Sequence, residues 1–209
     1  MLLSLPFGVF EESALGETIR YSYDDNLNKV LEEHATYAKH YTWDLANRLI
    51  LEKEVWNDGT TLIRQHHYNA LGRKIKSIDF FGNETDYSYD ASGRLIETIH
   101  PKIQGIRPVE KAEFNALGYR ASAIDPLGNK TETRYTSRGQ PSHILYPDGS
   151  FESKEYDPQG RLFKETSKEG ITTLYARDPF GRVIKKSIYD RSGLLAKEAS
   201  CRYRALLRK

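Results

Sequence analysis

The sequence predicts an all-β chain of stacked antiparallel hairpins, and three observations carry that prediction. Glycine recurs at Gly72, Gly82, Gly93, Gly105, Gly118, Gly128, Gly139, Gly149, Gly160, Gly170, Gly181 and Gly193, in steps of 10 to 13 residues. An aromatic residue closes a Y-x-Y-D-like head at Tyr23, Trp43, Tyr68, Tyr89, Phe114, Tyr135 and Tyr156, at separations of 20, 25, 21, 25, 21 and 21. Arg177 takes the next slot, again 21 residues on. Turn formers surround the glycines, as in NDGT (57–60), DPLGN (125–129), YPDGS (146–150) and DPQGR (157–161). Two chain reversals per unit of about 21 residues is the spacing of consecutive hairpins.

In chain order, residues 1–15 read as an irregular segment. MLLSLPFGVF has no basic region, and Pro6 interrupts its short apolar run, so it makes a poor signal peptide. The array is assigned to 16–193 and opens midway through a unit, because Gly16 precedes Tyr23 by seven, as Gly82 precedes Tyr89. The run YSYD stands at 21–24 and again at 87–90. Tyr87 and Tyr89 are two apart and share a strand face, as do Tyr21/Tyr23 and Tyr41/Trp43. Stacked units then align these rings into ladders on a face expected to be buried. Between glycines, RVIKKSI, RLIETI and ETRYT have strand composition. Gly72, Gly93, Gly118, Gly139, Gly160 and Gly181 are expected to supply a left-handed turn residue. Arg48, Arg94, Arg161 and Arg182 face Asp44, Asp90, Asp157 and Asp178 across their turns, and Arg73 holds the same slot after Asn69. Residues 194–209 read as an irregular basic tail.

Composition narrows the chemistry. The chain is 209 residues long with only 38% hydrophobic residues, yet it has 14 tyrosines, which suits half-wet sheets better than a thick core. Its net charge of +2 hides a tail of +4 from Leu194 onward, so the array carries −2 and nucleic-acid binding gains no support. No stretch is apolar enough for a membrane span. The single cysteine, Cys201, rules out an internal disulfide framework and a cysteine zinc site. His66 and His67 point to opposite strand faces and cannot easily share a metal, and His66 fills the outer aromatic slot of its repeat. Asp24, Asp44, Asp90, Asp157 and Asp178 recur as turn residues, which suits none of them to a catalytic pair. Asn83 begins an NET triplet but lies in turn register. No catalytic, metal or cofactor-binding residue is therefore assigned.

The heads YDPQGRLFKE (156–165), YDASGRLIET (89–98) and RDPFGRVIKK (177–186) resemble the YD repeat, Y-D-x-x-G-R-hydrophobic, with YNALGRKIKS (68–77) and WDLANRLILE (43–52) as close variants. That repeat belongs to the rearrangement-hotspot (Rhs) proteins, toxin-complex C components and teneurins. The resemblance implies a curved, spiralling antiparallel sheet, part of a hollow β-shell, secreted or associated with the cell envelope. It implies a non-catalytic wall that encloses or presents a toxin or effector. Its partners would be flanking YD repeats, or other copies joined through open sheet edges. Two alternatives stand beside this: an adhesion module binding carbohydrate or a receptor through its aromatics, and a β-propeller made of 42-residue blades. The pattern has departures. Arg120-Ala121 and Gln140-Pro141 replace Arg-Leu, Ala112 and Thr133 replace the outer aromatic, and no plug or self-cleavage region built on DPxG follows Gly193.

Overall fold

The computed structural model describes residues 7–12 and 18–201, with the first of these stretches described by its backbone. Among the described residues there are eighteen strands and no helix. The chain divides into two compact units, residues 1–109 and 110–209. The first holds β1 (Phe7–Glu12), β2 (Thr18–Tyr23), β3 (Lys29–Glu33), β4 (Tyr37–Trp43), β5 (Leu49–Trp56), β6 (Thr61–Tyr68), β7 (Lys74–Ile78), β8 (Glu84–Tyr89) and β9 (Leu95–Ile99). The second holds β10 (Val109–Phe114, starting at the boundary), β11 (Arg120–Ile124), β12 (Lys130–Tyr135), β13 (Pro141–Leu145), β14 (Phe151–Tyr156), β15 (Leu162–Thr166), β16 (Thr172–Arg177), β17 (Val183–Tyr189) and β18 (Leu195–Ser200).

Within each unit every strand pairs antiparallel with its sequence neighbour. β5, for example, pairs with β4 and β6, and β6 goes on to pair with β7, so no break separates groups of four strands. The propeller alternative therefore falls. Two segments expected to be irregular are strands: β1 lies on β2, and β18 on β17. Backbone pairing with an existing strand satisfies their donors and acceptors even though they lack the repeat's signature. The expected boundary at 15/16 and the tail beyond 201 lie outside the described residues.

The expected buried face is absent. Among the described residues no hydrophobic side chain is buried, and the buried residues are Ser122, Thr173 and Ser187. A single layer of sheet leaves both faces open, whereas a dry core needs a second layer.

An odd repeat poses a problem for strands, whose side chains alternate with period two, because each unit would present its tyrosine on the opposite face from the last. The chain solves this with a β-bulge beside each anchor position. Tyr135 opposes Pro141 while Arg134 opposes His143, and Tyr156 opposes Leu162 while Glu155 opposes Lys164. The same register shift occurs beside Tyr23, Trp43, Tyr68, Tyr89, Phe114 and Arg177. Each bulge adds one residue and brings the next anchor back to the same face. Turns at the other edge, such as the one joining β7 to β8, keep an unshifted register, except the one joining β17 to β18, which shifts beside Tyr189. This difference between edges accounts for glycine steps that alternate between 10 and 11. The 20-residue step uses a shorter reversal between β3 and β4, where His34 N donates to Tyr37 O at 2.9 Å.

Candidate functional site

The residues shared by all units meet along the edge that carries the bulges, and each turn there is built alike. Asp90 N donates to Arg94 O at 3.0 Å, and Gly93 N donates to Asp90 O at 2.9 Å. The Asp90 carboxylate accepts the Arg94 amide at 2.9 Å and the Arg94 Nε at 2.7 Å. Gly93 has φ of +86°, a left-handed conformation that suits glycine and strains most other residues. The turn Asp157–Arg161 repeats these bonds, with Arg161 N and Nε at 2.8 and 2.7 Å from the carboxylate and Gly160 at φ of +82°. Asp44/Arg48 and Asp178/Arg182 form the same pair. Side-chain hydrogen bonding from Arg48 holds the Asp44 carboxyl below the ordinary carboxylate range, and backbone bonding from Arg94 does so at Asp90.

Successive turns are then linked through the arginine slot. The Arg73 guanidinium occupies the space beside Gly93 where a side chain would begin, and lies 5.8 Å from the Tyr89 ring centroid. Arg48 stands over Tyr68 at 4.8 Å and beside Gly72, and Arg161 stands beside Gly181. Gln140 lies beside Gly160 and donates its Nε2 to Gly160 O at 2.7 Å. Tyr119, immediately after Gly118, lies over Gly139 and stacks on Tyr135, ring centroids 5.0 Å apart. Tyr119, and not Arg120, therefore fills the arginine slot of that turn. The residue directly after glycine sets the slot, which corrects the sequence reading by one position.

The anchor aromatics make the second link. Trp43, Tyr68, Tyr89, Tyr135 and Tyr156 each reach back and donate a polar hydrogen to the backbone carbonyl that follows the previous arginine slot, which the side chain of Phe114 cannot do. Tyr68 Oη bonds Leu49 O at 3.1 Å, and Tyr89 Oη bonds Lys74 O at 2.8 Å. Tyr135 bonds Arg120 O at 2.9 Å, and Tyr156 bonds Pro141 O at 2.8 Å. Trp43 performs the same act with its indole Nε1, 2.8 Å from Lys29 O. Arg177, where the aromatic is missing, substitutes Nη2 at 3.0 Å from Leu162 O. A carbonyl beside the bulge, where the ladder is interrupted, thereby gains a partner.

The expected ladder of rings is thus a correction too. Successive anchors are two strands apart, too far to touch, and a cation or another ring lies between them. Lys29 likewise sits between the outer rings of Tyr21 and Tyr41, at 5.3 and 4.8 Å. Sequence reasoning also missed Glu32. Burial opposes its charge, but hydrogen bonds from Lys29, His34 and Tyr41 outweigh that and hold its pKa at about 2. Among the described residues no cluster of three or more His, Cys, Asp or Glu is placed to hold a metal. His66 and His67 oppose Ser77 and Lys76 respectively, on alternate faces.

A one-layer sheet of consecutive hairpins, tied turn to turn by these slots, defines a YD-repeat shell protein. The family model for the teneurin YD-shell matches residues 10–201, and the chain belongs to that family. The crystal structure of TcdB2-TccC3-TEV is similar at a TM-score of 0.69 and 16% identity, over 94% of this chain and 11% of that one. The Photorhabdus luminescens Tc holotoxin pore matches at 0.67 and 16%, over 93% of this chain and 11% of that one. The crystal structure of TcdB2-TccC3 gives 0.67 and 16%, over 90% and 12%. This chain therefore spans about a ninth of the length of those chains. No curated protein sequence matches it.

Proposed function

We propose that the chain is a non-catalytic strip of wall in a YD-repeat shell that encloses or presents a toxin or effector outside the cell or at its envelope. One observation carries this reading: the repeated residues are spent on bonds between neighbouring turns. The recurring carboxylates Asp44, Asp90, Asp157 and Asp178 are held by their own turn amides and arginines, and most of the recurring aromatics donate to backbone carbonyls. Catalysis needs a singular environment, whereas a wall needs identical joints. The resemblance to TcdB2-TccC3 supports the shell reading at the level of fold.

Limited proteolysis of the full-length polypeptide that carries this array tests it. An enclosed portion is expected to resist protease while the array is intact, and to become cleavable when Gly160→Val breaks a turn. Equal sensitivity before and after that substitution would remove the wall role. Specific retention on a glycan array, lost in Trp43→Ala, would favour an adhesion module instead.

A further inference from the structure

Aspartate is followed by glycine at two places in the chain, and both are hairpin tips at the edge opposite the Asp-Arg turns. Asp58-Gly59 lies between β5 and β6, and Asp148-Gly149 between β13 and β14. The aspartates of the other edge, Asp44, Asp90, Asp157 and Asp178, are followed instead by Leu, Ala, Pro and Pro. The difference is chemical. Glycine has no Cβ to shield its amide nitrogen, so the carboxyl carbon of the aspartate before it can approach that nitrogen closely. The space that a side chain would take at Gly59 and at Gly149 is open. Asp58, Gly59, Asp148 and Gly149 are all exposed.

The two glycine amides are engaged alike, Gly59 N with Trp56 O at 2.9 Å and Gly149 N with Tyr146 O at 3.0 Å. The two carboxylates are not. Asp58 is held by Thr60, whose backbone N donates to Oδ1 at 2.8 Å and lowers the carboxyl pKa. No cation pairs with Asp58 among the described residues. Asp148 is held by two residues on both oxygens. Ser150 donates its backbone N, at 3.0 Å, and its hydroxyl to Oδ1, and Lys168 Nζ stands 2.9 Å from Oδ2. These contacts, the Ser150 hydroxyl foremost, hold the Asp148 carboxyl far below the ordinary carboxylate range. Lys168 is itself seated over the Tyr146 ring, 4.6 Å from the centroid.

We propose that Asp58 is a site of spontaneous isomerisation to isoaspartate and that Asp148, in the same dipeptide, is protected from it by Ser150 and Lys168. Gly59 N attacks the Asp58 Cγ, a carboxyl oxygen leaves as water, and the amide proton is released as a five-membered imide closes. Water then adds to one of the two imide carbonyls. Opening at the main-chain carbonyl leaves the chain running through Cγ, which is isoaspartate. One water is lost and one regained, so no other reactant is needed. The oxygen departs from the protonated carboxyl, and a carboxyl held firmly in its charged form reacts slowly. Asp58 has the Thr60 contact to release before Cγ turns onto Gly59 N, whereas Asp148 has to leave both Ser150 and Lys168. The product adds one main-chain atom at the tip of β5 and β6, where Trp56 packs on Tyr37 with ring centroids 4.8 Å apart.

Tryptic peptides 54–64 and 139–154 report the two sites separately. The 209-residue chain is aged for several weeks at about 37 °C and about pH 5.5, where more of a carboxyl is protonated than at neutral pH. Peptide 54–64 is expected to resolve into two chromatographic peaks of equal mass, with the isoaspartyl bond located by electron-transfer fragmentation. Peptide 139–154 is expected to convert about tenfold more slowly. In concentrated urea the two sites are expected to convert at similar rates, and Lys168→Ala is expected to speed conversion at Asp148 in the folded chain. At about pH 8 conversion at Asp58 is expected to slow, as the carboxyl loses its proton. Absence of conversion at Asp58 in the folded chain would overturn the proposal, whatever the urea sample shows. Equal conversion at Asp58 and Asp148 in the folded chain would overturn it too. None of these outcomes bears on the wall reading.

Discussion

At the scale of single residues, turn chemistry is what the sequence displays most openly, because a left-handed backbone demands glycine and a tight turn demands Asp or Asn. Leu27 and Asn47 take the same turn position at φ of 63° and 56°. Asn tolerates that region, but leucine is strained there. Leu27→Gly is therefore expected to raise stability by about 1 kcal/mol, seen as a higher urea midpoint with an unchanged slope. Gly93→Val is expected to destabilise more than Gly93→Asn, since valine suffers both the backbone strain and the Arg73 guanidinium beside it. The carbonyl partners of the anchor tyrosines were illegible for a plain reason: a backbone acceptor leaves no mark on residue identity. Tyr89→Phe removes only the Lys74 bond and is expected to cost about 1 kcal/mol.

His66, in a tyrosine slot, has its pKa lowered by burial first and then by Lys74 and Arg64. The neutral form is the one the fold prefers. Its contribution is whole above the unfolded value near 6.5 and falls as pH drops below that value. His66→Tyr is expected to shrink the difference in melting temperature between pH 7.5 and 5.5. The turn aspartates act lower. With folded pKa values depressed, Asp44 and Asp90 lend stability above about 3.9 that is lost as pH falls through their folded values.

At the scale of elements, hairpins were readable from composition and spacing, but the bulge was present only as the alternation of 10 and 11 between glycines. Its consequence is testable at β15, where Tyr156 opposes Leu162 and Glu155 opposes Lys164, leaving Phe163 as the extra residue. Deleting Phe163 puts everything after it on the opposite face. The deletion is expected to destabilise the chain by several times the effect of Phe163→Ser, which leaves the register alone. Chemical denaturation of the two variants distinguishes them. Terminal strands β1 and β18 were missed because they lack the Y-D-x-x-G-R signature and are recognisable only by the neighbours they pair with.

At the scale of the molecule, scarce apolar composition hinted at a thin protein, yet alternation still led to the expectation of a buried face. Alternation reports that two faces differ, and says nothing of whether a second layer exists. Among the described residues no hydrophobic side chain is buried, so cohesion passes from strand to neighbouring strand, as in linear repeat proteins. Unfolding is then expected to spread locally. In amide hydrogen exchange, Gly160→Val should speed β14 to β17 while β4 to β6 keep their parental rates. Uniform acceleration along the chain would show instead that the array behaves as one cooperative block.

The bulge also bears on how such genes change length. Because it restores side-chain parity once per unit, every unit begins and ends on the same face with the same unfilled and offered slots. An unequal crossover between two glycine codons in equivalent turns adds or removes one whole unit. The new junction still finds an arginine-slot residue beside a glycine and an anchor opposite a carbonyl. An even repeat without a bulge would tolerate such exchanges as well, but it would have no spare residue at which to satisfy the anchor. Exchange between equivalent turns is thus expected to change the number of units while leaving the joint between them intact.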